Sequence, residues 1–149
     1  HKVTFGTPVK AIKDGVVKKA MHDFTEMTPQ EKDAIIKECE LNHETHRVNE
    51  NRFRGRQVWL EHEGGLISIY AHLSKIPENV VEGQQVKQGE VIGYVGNSGT
   101  TEGVSGKKTY PHLHLEIWLE QFDEFDGLYF GKWLTLEETM YVWRKVFKK

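Results

Sequence analysis

The stretch "QVWLEHEGGLISIYAHL", Gln57 to Leu73, sets the architecture. Val58, Leu60 and His62 alternate with Trp59 and Glu61, and in an extended strand successive side chains leave opposite faces. "EGG" at 63–65 then turns the chain, and Leu66 to His72 runs back. The pattern predicts a β-hairpin. On its C-terminal side, "VVEGQQVKQGEVIGYVGNSG" (80–99) sets glycines at 83, 89, 93, 96 and 99 between short valine-rich strands. That spacing belongs to an all-β layer with tight corners. On its N-terminal side, "VKAIKDGVVKK" (9–19) alternates around Asp14-Gly15, a turn signal between two short strands. The expected fold class is therefore an all-β core, an antiparallel sandwich or partly open barrel with a groove.

Two helices decorate it. "TPQEKDAIIKECELNHETHR" opens with Thr28, has Pro29 at the first helical position and Glu31 three residues after the threonine. This capping box predicts a helix from about Pro29 to about His46. Residues 47–57, "RVNENRFRGRQ", read as a polar, basic loop, either solvated or touching an anionic polymer. Near the C-terminus, Thr135 and Glu138 form a second box before a helix from about Leu136 to Phe147. Its apolar stripe is Leu136, Met140, Trp143 and Phe147. With Trp133 and Tyr141 it makes an aromatic-rich segment, expected to pack on the core or a neighbouring domain.

The bulk numbers narrow the function classes. At 149 residues one domain is expected, spanning 1–149 with a helical insertion at about 20–56 and a helical extension at about 133–149. The net charge of −2 argues against nucleic acid as the partner of the four arginines in residues 47–57. No run of about 18 apolar residues appears, so no transmembrane segment is expected. Cys39 is the only cysteine, which excludes an intrachain disulfide and a cysteine-rich zinc site. Any metal would have to be held by some of the eight histidines together with Asp or Glu.

"YPHLHLEIW", Tyr110 to Trp118, is where the histidines are most pointed. On a strand, His112 and His114 face one way, and Leu113, Leu115 and Ile117 face the other as core. A wet strand face carries such a pair idly more often than not. Glu116 shares the histidine face, either orienting one imidazole through a hydrogen bond or standing as a solvated carboxylate. "HETH" offers a second pair, His43 and His46, at the i, i+3 spacing of one helix face. These read either as metal-gripping or as surface histidines near a helix end.

Four pieces in order, "GTPVKAIKDGVV" (6–17), "LEHEGGLISIYAHL" (60–73), residues 80–99 and "YPHLHLEIW", resemble the lysostaphin-type (LytM-like) zinc metallopeptidases, which cut peptide bonds in bacterial peptidoglycan. The resemblance covers about two-thirds of the chain and omits residues 20–56 and everything after about 120. Leu115 stands where the family's His-Leu-His-Phe-Glu signature has Phe. The resemblance implies zinc as the cofactor, His114 as a metal ligand, and His112 and His72 as the two catalytic histidines. It implies peptidoglycan peptide as the partner and a cell-envelope location, periplasmic or extracellular. His62 falls where the family often has a histidine away from the metal, and reads as structural. The family's other two ligands come from an early His-x-x-x-Asp motif, which here would precede His1. The expectation is that the displayed chain begins just after that motif.

Three function classes follow. The first is a zinc-dependent endopeptidase acting on cross-links or stem peptides. The second is a non-catalytic relative that binds or activates another wall hydrolase. The third is a carrier domain, suggested by the glycine rhythm of "GQQVKQGEVIGYVG", but Lys87 lies within the rhythm and not at a hairpin tip. For the 20–56 insertion, three roles stand open: a wall of the substrate groove, a dock for another envelope protein, or a lid.

Overall fold

The structure, a computed structural model, describes residues 3–119, 129–132 and 134–147, with Arg47 described by its backbone alone. His1 and Trp133 lie outside the described residues. The central hairpin pairs Val58 with Tyr70 and His62 with Leu66 across Gly64 and Gly65, both at positive φ (87° and 73°). Only glycine takes two such residues in succession without steric cost.

Among the described residues, in chain order, the strands are β1 (Pro8–Lys10), β2 (Gly15–Ala20), β3 (Val58–His62), β4 (Leu66–Ala71), β5 (Leu73–Lys75), β6 (Gln85–Val86), β7 (Val91–Val95) and β8 (His114–Leu119). They form two open antiparallel sheets, one ordered β1-β7-β5 and the other β6-β2-β3-β4-β8. The two strands around Asp14-Gly15 do not pair with each other. β1 joins β7 in the small sheet, and β2 lies between β3 and β6 in the large one. The turn thus carries the chain from one sheet to the other. The core lies between the sheets, where Val9, Leu73, Ile92 and Val95 of one meet Val17, Leu60 and Tyr70 of the other. β4 is buried at every position, because β3 and β8 flank it.

His62 belongs to this interior and is 3% exposed. Its Nδ1 donates to the Asp14 carbonyl at 2.8 Å, and its Nε2 is bonded to Ser68 Oγ at 2.7 Å, which in turn reaches Tyr70 Oη at 3.1 Å. Burial lowers its pKa, against the opposing effect of the Asp14 bond. A depressed imidazole pKa means that, below about pH 6.5, the unfolded chain takes up a proton the folded chain refuses. Stability is therefore complete above that pH and falls on acidification. His62→Gln is expected to flatten this acid limb, by at most about 1.4 kcal/mol per pH unit. Urea midpoints between pH 7 and pH 5 would measure it, and an unchanged slope would contradict it.

The segment between β2 and β3 departs most from expectation. α1 (Pro29–Asn42) has the capping box at Thr28 and Glu31, but it stops at Asn42, with His43 in the left-handed region (φ 54°). Residues 47–57 are not a loop: α2 (Arg47–Arg54) occupies most of them, with His46 as its N-cap. His43 and His46 therefore sit at the end of one helix and the start of the next, not on one helix face. α2 has only two apolar residues, Val48 and Phe53, and Val48 is exposed, so little apolar surface announces it; its charged residues gain partners such as Glu31 and Glu116 across the fold. The loop after β7 likewise holds a short helix, α3 (Thr101–Val104), capped by Thr100.

The C-terminal helix, α4 (Leu136–Val146), has its capping box at Thr135 and Glu138. Its expected stripe is split. Trp143 and Phe147 pack on Phe130 with ring centroids 6.1 and 6.0 Å away, and Phe130 hangs from β8 through its N–H to the Ile117 carbonyl. Leu136 and Met140 are 80% and 42% exposed. The helix is held by its C-terminal half because that is where the aromatic rings lie.

Candidate active site

His72 is the single residue between β4 and β5, at the point where the chain leaves the large sheet for the small one. It sits at φ 60°, a region that costs a non-glycine residue about 1–3 kcal/mol and persists where surrounding contacts impose it. Two pairings bring the other histidines to the same seam. Ala71 pairs with His114 on β8, and Gly96, just past β7, bridges His112. The His72 ring centroid lies 4.8 Å from that of His112 and 5.5 Å from that of His114. The three imidazoles converge.

Their hydrogen bonds assign their protons. His72 Nδ1 meets the Ser98 carbonyl at 2.8 Å and His112 Nδ1 meets the Tyr110 carbonyl at 3.0 Å. A carbonyl only accepts, so each Nδ1 carries the proton and each neutral ring keeps its lone pair on Nε2. His114 is reversed. Its Nε2 lies 3.0 Å from Glu116 Oε1, so in the neutral ring Nδ1 keeps the lone pair. For His72, burial is the main cause of a pKa pushed down to about 4, with the Ser98 bond opposing and the nearby His112, His114 and Lys32 adding to it. It is a neutral imidazole at neutral pH, suited to accept a proton or a hydrogen bond at Nε2.

Glu116 is neither idle nor solvated. Its carboxylate takes a two-pronged bond from Arg54, Nε to Oε1 at 2.7 Å and Nη2 to Oε2 at 2.8 Å, and a third from Trp118 Nε1 at 2.8 Å. Burial opposes the charged form. The bonds from His114, Arg54 and Trp118 and the guanidinium's charge outweigh it and hold the carboxyl down to about 2. Arg54 comes from α2, 62 residues away in the chain, and no spacing in the sequence points to it. Leu113 also differs from expectation: at 36% exposure it lies outside the core, because β8 begins only at His114 and residues 110–113 cross the open seam.

A cavity of about 320 Å³ opens beside the histidines, with Thr45, Glu50 and Phe53 on one side and His72 and His114 on the other. The insertion walls the site. The 97–99 loop, which accepts the His72 bond, is gripped by that wall. Glu26 accepts from the Gly99 N–H at 3.1 Å, Lys32 Nζ donates to the Gly99 carbonyl at 3.1 Å, and the Arg56 N–H donates to Ser98 Oγ at 2.8 Å. Gly99 has φ 75°, and a Cβ there would meet the Phe53 carbonyl at 2.3 Å. Gly99→Ala is expected to cost at least about 2 kcal/mol by forcing α2 away. Gly106→Ala, with φ 70° and open space around it, carries only the backbone cost of about 1 kcal/mol. Equal urea midpoints for the two variants would contradict this.

Zinc can be tested against these donors. The free lone pair of His114 Nδ1 fits a zinc ligand, and its Nε2–H held on a carboxylate is the usual arrangement for a metal-bound imidazole. Among the described residues no group of three or more His, Cys, Asp or Glu side chains is placed to hold a metal ion. These residues thus fit one ligand of a zinc centre, not a full set.

Comparison with known proteins is decisive for the family. The model of peptidase family M23 matches residues 44–126, more than half of the chain and all of the histidine seam. The chain belongs to peptidase family M23. Among M23 relatives, the peptidoglycan DD-endopeptidase ShyC of Vibrio cholerae is 31% identical over 112 residues, 75% of this chain and 17% of that protein. The L-Ala–D-Glu endopeptidase of Bacillus subtilis is 36% identical over 64 residues, 43% of this chain and 20% of that protein. The chain thus spans a fifth or less of these relatives' length. A crystal structure of a Ruminococcus gnavus protein, provisionally named a glycyl-glycine endopeptidase, has a TM-score of 0.53 at 28% identity, covering 83% of this chain and 38% of that one. The catalytic domain of the prophage-encoded M23 protein EnpA from Enterococcus faecalis shares the fold, at TM-score 0.51 and 20% identity over 85% of this chain and 68% of that one. The two open antiparallel sheets described above are the M23 fold, and the lysostaphin-type resemblance is family membership.

Proposed function

We propose that this chain is a single lysostaphin-type peptidase domain and a zinc-dependent endopeptidase of the cell envelope, hydrolysing cross-links or stem peptides of peptidoglycan. The observation that carries the reading is the meeting of three imidazoles at one seam, His72 within 4.8 Å of His112 and 5.5 Å of His114, with lone pairs assigned by their partners. His114 is the metal ligand, and an His-x-x-x-Asp motif outside the described residues is the expected source of the others. Zinc, when bound, supplies a Lewis acid and a water of lowered pKa. His72 and His112, which keep their lone pairs on Nε2, would be the groups that take a proton and bond to the developing oxyanion. The cavity beside α2 gives the peptide a walled channel next to them. No described helix is long and apolar enough to cross a membrane.

The test is release of soluble peptides from purified sacculi by a chain extended to include that motif. Hydrolysis is expected with zinc, and its loss on chelation is expected to reverse when zinc is restored. A second reading, a non-catalytic relative that binds or activates another wall hydrolase, is favoured by one observation, the lack of a three-ligand group among the described residues. Zinc binding without release of peptides would favour it.

A further inference from the structure

Arg54 touches both sides of the histidine seam. Its backbone carbonyl accepts from the His72 N–H at 2.8 Å, at the residue whose φ is positive. Its guanidinium, 13% exposed, grips Glu116, whose Oε1 holds His114 Nε2. One residue of α2 thus fastens the backbone of one histidine and, through a single carboxylate, the ring of another. Glu50 lies 3.4 Å from Arg54 Nη1 and adds a second acidic neighbour. Gly55 follows at φ 68°, and a Cβ there would meet the Ser98 carbonyl oxygen at 2.4 Å, so the chain beyond Arg54 presses directly on the loop that bonds His72.

We propose that Arg54 is a positioning residue for the reaction centre, setting the proton and orientation of the His114 ring through Glu116 so that Nδ1 faces the metal. The role rests on the reading of His114 as a ligand. It turns the insertion from a cover over a finished site into a part the site cannot be built without. Lysine is a poor substitute: a point charge reaches one carboxylate oxygen, whereas the guanidinium fork fixes both and thereby fixes the plane of the carboxyl group.

Two readouts test it in the full chain extended to hold the His-x-x-x-Asp motif. In the zinc-free protein, the His114 Nε2–H is expected as a slowly exchanging ring proton by ¹⁵N-edited NMR. Arg54→Met is expected to lose that signal and to bind zinc about 10–100-fold more weakly in competition with a chelating indicator. Arg54→Lys, which keeps the charge, is expected to stay folded and fall between. Arg52→Met removes a positive charge from the same helix without touching Glu116, and both readouts are expected to match the parent. A folded Arg54→Met or Arg54→Lys that keeps the ring proton and parental zinc affinity overturns the proposal, since a merely structural arginine would shift the melting temperature alone. A parent that shows the ring proton but has the same zinc affinity after His114→Ala overturns the ligand reading, while the clamp itself stands.

Discussion

In the chain extended to hold the His-x-x-x-Asp motif, His72→Ala is expected to lower kcat on purified sacculi by about 10²–10⁴-fold, the range a positioned general acid or base contributes. Its Nδ1–H is anchored on Ser98, so the lone pair stays on Nε2, and its pKa near 4 keeps it unprotonated through the neutral range. His112→Ala is expected to fall in the same range, and the two losses together are expected to be far from additive because the pair serves one reaction centre. Neither replacement removes a proposed metal ligand, so zinc content is expected to stay near parental while turnover collapses. Zinc-replete kinetics with metal analysis on the same samples would check this. An unchanged kcat in either variant would remove that histidine from the chemistry.

The second large effect is on stability. Glu116→Ala leaves the Arg54 guanidinium, 13% exposed, without the carboxylate that satisfies its fork, and takes an acceptor from His114 and Trp118. Breaking one side of a buried pair costs about 3–5 kcal/mol, and because Glu50 stays 3.4 Å from Arg54 Nη1 the loss is expected at the lower end of that range. Replacing both partners, Arg54→Met with Glu116→Leu, is expected to recover most of that loss. Urea unfolding of the two variants and the parent measures the difference directly. A double variant no more stable than Glu116→Ala would show that the loss comes from displaced backbone, not from the orphaned charge.

Local pattern carried the hairpin, the glycine-spaced strands and both capping boxes, since each depends on residues within a few positions of one another. Period two at 58–62 and a Thr-x-x-Glu ahead of a helix need no distant partner to be recognised. The His112-x-His114 pair was legible for the same reason. The errors share a cause as well. Arg47 to Arg54 reads as a loop because it has charges where a helix normally shows an apolar stripe. Its order comes from contacts far away in sequence, such as Arg54 with Glu116 and Arg52 with Glu31. Leu113 reads as core only if the alternation runs back beyond His114, where β8 begins. Leu136 and Met140 match the helical period of Trp143 and Phe147, but only the latter two have Phe130 to pack against.

Sequence order and spacing alone set the fold class and singled out the three histidines that meet at the seam, because strand alternation, turns and caps are short-range. They could not say that Asp14-Gly15 passes the chain between sheets, that His72 stands alone at the crossing between them, or that α2 closes one wall. Those facts depend on which strands pair and on the closure of loops tens of residues long, whose energy resides in contacts that no local window contains. The proton position on His72 belongs to the same class, since it is dictated by the Ser98 carbonyl 26 residues away. Those on His112 and His114 depend on Tyr110 and Glu116, each two residues away, and only the orientation of Glu116 by Arg54 is set by the fold.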